Sequence, residues 1–105
     1  MSRTIRFARA ARIDYRDAVE WYENKHAGLG ERFSIAISSA IERIIYEPEL
    51  FRATSYWMSG HVVRRLIVTR FPFVIYFYAT SEEIVIVAIF HSSRDPRQIV
   101  ERGEE

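Results

Sequence analysis

Apolar residues along this chain change their period twice, and the changes divide it into elements. Over residues 3–7, Ile5 and Phe7 fall on one face of a short extended segment. From Ala8 onward the spacing becomes helical. Ala11, Tyr15, Ala18, Val19 and Tyr22 form one stripe, while Arg12, Arg16, Asp17, Glu20 and Glu23 lie off it. Gly28 and Gly30 predict a stop just after Lys25, because glycine relieves the strain of a helix end. A second stripe follows in Leu29, Phe33, Ala36, Ile37, Ala40, Ile41 and Ile44, and Pro48 ends it by removing a backbone donor. Two amphipathic helices joined by a glycine-containing turn predict a helical hairpin.

Residues 48–60 show no clean period and read as a loop. Three apolar runs then follow in close order, at residues 61–69, 73–79 and 84–91, each rich in β-branched and aromatic side chains. Their short connections predict an antiparallel meander. Residues 95–102 are long enough for one helical turn or a loose tail. The expectation is an α+β fold in which residues 1–105 form a single domain of order β-α-α-β-β-β, with the helical hairpin packed on a small antiparallel sheet.

The meander strands lack the alternation of a sheet with one wet face. Phe73, Ile75 and Phe77 share one side, yet Val74, Tyr76 and Tyr78 occupy the other, and residues 84–90 contain no polar side chain. One hairpin covers one face. The second face is therefore expected to be exposed and to receive a protein partner. Internal cover by residues 48–60 and the tail is the competing arrangement.

Composition narrows the classes. The chain has 105 residues, 49% apolar and 28% charged, which excludes a disordered polymer. Fifteen basic against fourteen acidic residues leave a net charge of +1, so this is no protein that coats nucleic acid by charge alone. The balance is uneven along the chain. Residues 1–12 hold four arginines and no acid, whereas residues 13–51 carry eight acids against four bases. Lys25 is the only lysine, and arginine's planar fork suits phosphate and carboxylate partners. With no cysteine, thiolate and disulfide chemistry is excluded, and a reducing cytoplasmic location is expected. No apolar run is long enough to cross a bilayer, so no membrane partner is expected.

Candidate chemistry is sparse. His26, His61 and His91 have no metal-motif spacing, and neither a metal nor another cofactor is expected. Arg64 and Arg65, adjacent on a strand, must point to opposite faces. His91, Ser92, Ser93 and Arg94 leave the last strand together and place an imidazole, two hydroxyls and a guanidinium at one rim. Such a group suits phosphate binding or general acid–base cleavage of RNA; hydrogen bonding to the backbone is the plainer role.

In order, these segments resemble the ParE/RelE superfamily of bacterial toxins from type II toxin–antitoxin pairs, also known as plasmid stabilisation proteins. The resemblance runs from about Arg6 to Arg102. It rests on Asp17-Ala18-Val19-Glu20-Trp21-Tyr22, Pro48, Val63-Arg64-Arg65, Phe71-Pro72-Phe73-Val74-Ile75-Tyr76 and His91-Ser92-Ser93-Arg94-Asp95-Pro96. The RelE-like branch implies ribosome-dependent cleavage of messenger RNA, for which Arg65, His91 and Arg94 are the candidates here. Val74, Ser93 and Ile99 stand where that branch carries further basic and tyrosine residues. The ParE-like branch, which the Phe-Pro-Phe and His-Ser-Ser-Arg-Asp-Pro stretches resemble more closely, implies a non-enzymatic poison of DNA gyrase. A member retaining only antitoxin binding is a third class. The resemblance further implies a cognate antitoxin and a toxin–antitoxin hetero-oligomer. Val74, Tyr76, Tyr78, Arg64 and Tyr22 are the expected antitoxin contacts.

Overall fold

Strand β1 (Thr4–Phe7) runs almost directly into helix α1 (Arg9–Lys25), and helix α2 (Leu29–Tyr46) folds back along it. The computed structural model describes residues 3–102. The turn between the helices follows from two glycines. Gly28 adopts φ +87°, a left-handed conformation that glycine takes without a Cβ clash. The Glu23 carboxylate accepts the backbone N–H groups of Gly28 and Gly30, and these bonds hold it below the usual carboxylate range.

Gly30 has a different task. A Cβ there would stand 2.8 Å from the Val19 carbonyl oxygen and 3.0 Å from Glu23 Oε1, so the absent side chain lets α2 start against α1. Gly30→Ala is expected to cost about 1–3 kcal/mol through forced separation of the helices. Urea denaturation measures it, and an unchanged midpoint would show that the hairpin yields freely.

The sheet carries five strands in the order β1-β5-β4-β3-β2, where β2 is Arg52–Met58, β3 His61–Ile67, β4 Phe73–Ala79 and β5 Glu83–His91. The hairpin and the last three strands lie as their periodicity predicts. Two points differ. The sheet is mixed, because β1 pairs parallel to β5, with Ile5 opposite Ile84 and Phe7 opposite Ile86. That register extends the layer under α1.

The second difference lies in residues 48–60, expected as a loop. They form a single 3-10 turn at Pro48–Leu50 and then β2. Thr54, Tyr56 and Met58 turn inward while Ala53, Ser55 and Trp57 face out. Ser59 and Gly60 both have positive φ and close a two-residue hairpin between paired Met58 and His61. The tail forms helix α3 (Gln98–Arg102).

Between the hairpin and the sheet lies an aromatic core. Phe33 is fully buried, stacked on Tyr22 at 5.2 Å and meeting Phe73 edge-on at 4.9 Å and Phe71 at 5.3 Å. The opposite face is covered too, which corrects the expectation of an exposed second face. Val74, Tyr76 and Tyr78 are 5–7% exposed, in one cluster with Met58, Val63, Phe90 and Ile99. Strand β2 and helix α3 supply Met58, Tyr56 and Ile99, while the His61 ring stacks on Tyr78 at 5.7 Å. The surplus of apolar residues on the strands thus fills a second core of the monomer.

Candidate functional site

At the junction of α1, β5 and α3 an acid sits on the apolar stripe of α1. The Asp14 side chain is only 7% exposed. Its Oδ2 accepts the backbone N–H of Ile89 at 3.0 Å, and both oxygens take the Arg102 fork, at 2.7 and 2.9 Å. Arg102 also donates to the Val87 carbonyl. Its guanidinium lies 4.6 Å from the centre of the Phe90 ring, with that of Arg94 at 4.1 Å. Arg94 stands 3.8 Å from Asp14 and donates to Gln98. This network ties α3 across the sheet.

Beside it opens a cavity of about 470 Å³, lined by Asp14, Asp17, Trp21, Tyr22, His91 and Arg94. The His91 Nδ1 accepts the Ser93 backbone N–H at 3.1 Å and lies 2.8 Å from the Ser93 hydroxyl. Accepting at Nδ1 puts the proton of the neutral ring on Nε2, so its outward nitrogen is a donor. His91 meets Phe73 edge-on, on the hairpin side of the sheet.

Arg65 lies elsewhere. It pairs in register with Tyr76 on the second face and lines a separate cavity of about 220 Å³ with Arg52, Tyr56 and Pro96. The three residues proposed from sequence for RNA cleavage therefore divide between two cavities: His91 and Arg94 share one, Arg65 occupies the other. Burial pushes the Tyr76 phenol above its ordinary pKa, with Arg65 opposing.

The expected antitoxin contacts are likewise divided. Tyr22, 8% exposed, belongs to the hairpin core, and Val74, Tyr76 and Tyr78 to the second core. Arg64 donates to the Phe51 carbonyl at 2.8 Å and to that of Glu49 at 3.4 Å, securing the turn before β2. The premise that placed them on an open face does not hold.

A larger open surface runs along α2. A groove of about 610 Å³ between α2 and the β3–β4 connection has Leu29, Ala36 and Phe71 in its walls and Arg32, Arg43 and Arg70 around it. It continues through Ser39 and Arg43 into a second hollow with Tyr46 and Leu50. Ile35, Tyr46 and Leu50 are 59–85% exposed. Arg70 holds φ +77°, an unfavourable conformation for a side-chain-bearing residue. Sequence patterning missed this groove because Ile35, Tyr46 and Leu50 lie off the main α2 stripe and resemble scattered surface residues. Asp14 and Arg52 were missed as well. Asp14 did leave a signal, an acid between Ala11 and Ala18 on an otherwise apolar stripe.

A two-helix hairpin on one face of a five-stranded mixed sheet, with a short C-terminal helix strapped across the other, defines a small α+β fold. The same architecture occurs in a solved structure titled "Chromosomal ParDE TA system from P. aeruginosa". That chain superposes with a TM-score of 0.66 at 19% identity, over 86% of this chain and 96% of the other. Residues 5–96 match the family described as ParE toxin of type II toxin-antitoxin system, parDE. The chain belongs to this family. No curated protein matches it. Among the described residues no helix is long and apolar enough to cross a membrane, and no group of three His, Cys, Asp or Glu side chains is placed to hold a metal.

Proposed function

We propose that this chain is a cytoplasmic poison of DNA gyrase that a cognate antitoxin neutralises in a toxin–antitoxin hetero-oligomer. Family membership supports the toxin role. One observation favours gyrase over messenger RNA as the target: Arg65 faces one cavity while His91 and Arg94 face another. Cleavage of a phosphodiester requires a base and cations around the same phosphate.

The antitoxin seat in this reading is the α2 groove rather than the second sheet face. Three arginines border the apolar floor between α2 and the β3–β4 connection, while Glu42 and Glu47 line only the adjoining hollow. An amphipathic segment with acidic flanks fits that combination.

Supercoiling and translation assays run in parallel test the target. The expected result is loss of gyrase supercoiling, with accumulation of cleaved DNA, while messenger RNA in a translation extract stays intact. Codon-dependent cuts in the RNA, abolished by Arg65→Gln or His91→Gln, would overturn it. Inactivity in both assays with antitoxin binding intact would place the chain in the binding-only class.

A further inference from the structure

The second face carries a charge arrangement that the fold does not explain. Arg52 and Arg65 are directly opposite one another across β2 and β3. Like charges in that position destabilise a strand pair. An acidic neighbour would relieve the repulsion, yet among the described residues neither arginine forms an ion pair. Asp95, which precedes Pro96 in the cavity wall, is engaged with Arg97 at 2.7 Å.

The surroundings are built around the pair. Strand β2 departs from regular pairing between Ala53 and Trp57, and this irregularity lies beside a cavity of about 220 Å³. Besides the two arginines, Ser55, Tyr56, Tyr76 and Pro96 line it. The Thr54 hydroxyl fixes the shape of the departure, donating to the Val63 carbonyl at 2.7 Å and accepting the Tyr56 N–H at 3.1 Å. Irregularities of this kind re-aim side chains next to functional sites.

We propose that the Arg52–Arg65 cavity is a binding site for a phosphate group. Two guanidinium forks offer a surplus of donors to one compact anion, and a phosphomonoester carrying nearly two negative charges neutralises both. A single carboxylate would leave one arginine uncompensated. Hydroxyls in the cavity wall supply further donors, and the half-buried Tyr56 ring gives a base attached to the phosphate a face to stack on. The site binds without cleaving, because His91 lies in the other cavity. It holds whether gyrase or the ribosome is the target.

Amide NMR of the full chain, titrated with sodium phosphate against sodium acetate at matched ionic strength, tests the assignment. The expected result is saturable shifts at Ser55, Tyr56, Arg65 and Tyr76 with phosphate and none with acetate. Arg65→Gln is expected to weaken phosphate binding about tenfold, the loss of one charge-assisted contact. Arg52→Gln, at an exposed position, repeats the test should the first variant unfold. A second arm uses a trithymidylate with a 5′-terminal phosphate, which carries the same near-double charge as inorganic phosphate. Tighter binding than inorganic phosphate, falling steeply with salt, identifies a nucleic-acid strand as the source. Weaker binding identifies a free phosphate compound. Equal response to acetate, shifts spread over all arginines, or unaltered affinity in both variants overturns the proposal.

Discussion

Replacing Asp14 by alanine is expected to lower the stability of the fold by about 3–5 kcal/mol, the cost of breaking a buried ion pair from one side. The carboxylate does three things at once. It neutralises the Arg102 fork, accepts the Ile89 backbone N–H, and faces Arg94 at 3.8 Å. Alanine leaves the donor at Ile89 without its partner and a guanidinium beside an aromatic ring without its counter-charge. Because Asp14 is on α1 and Arg102 on α3, the damage spreads beyond one contact. Helix α3 loses its tether, and Ile99, nearly fully buried beneath it, loses its hold on the second face. Asp14→Asn separates the contributions, since its amide oxygen still accepts from Ile89 while the charge is gone. Urea denaturation is expected to rank wild type above Asn and Asn above Ala. An Asp14→Ala loss below about 1 kcal/mol, the range of exposed ion pairs, would show that water reaches the junction and that α3 is held by Ile99 alone.

How legible the molecule was in its sequence depended on where the signal lay. Periodicity sufficed for both helices, whose apolar stripes face the sheet, while β3, β4 and β5 were marked by runs of β-branched and aromatic residues between short connections. The two-faced composition of β4 and β5 was visible as well, but its meaning was not. Val74, Tyr76 and Tyr78 read as a surface awaiting a partner, and cover from β2 and α3 comes instead from within the chain. Strand β2 escaped notice because Thr54, Tyr56 and Met58 make a weak apolar alternation and Ser59-Gly60 is a less distinctive hairpin turn than Asn-Gly. The parallel pairing of β1 has no local signal; it is a contact between residues nearly eighty positions apart. For the site, residue types were visible and their convergence was not. Adjacent Arg64 and Arg65 were rightly assigned to opposite faces. That Arg64 is spent on backbone carbonyls and Arg65 faces Arg52 depends on β2, the strand the pattern left out.

Phe33→Ala is expected to be as damaging as the loss of Asp14, about 3–5 kcal/mol, through a different mechanism. Phe33 has no exposed surface and sits where α1, α2 and the β3–β4 connection meet. Tyr22 stacks on it, Phe71 and Phe73 present their edges, and Tyr15 lies 6.3 Å away. Truncation removes the transfer energy of the ring and leaves a cavity whose walls are themselves rings on three separate elements. Such walls close poorly, which puts the cost in the upper part of the range for large-to-small changes. Phe33→Leu fills most of the space and loses chiefly the aromatic pairing, so it is expected to cost less than half as much. The consequence reaches the surface. Phe71, whose edge contact with Phe33 is lost in both variants, also lines the α2 groove. If the proposed antitoxin seat in the α2 groove is right, Phe33→Leu is expected to remain folded in thermal denaturation while binding the cognate antitoxin more weakly, with the loss appearing in the dissociation rate. Weakened binding by a folded Phe33→Leu protein would connect the aromatic core to the groove. Full affinity in that variant would remove Phe71 from the binding surface and move the antitoxin seat away from the β3–β4 connection.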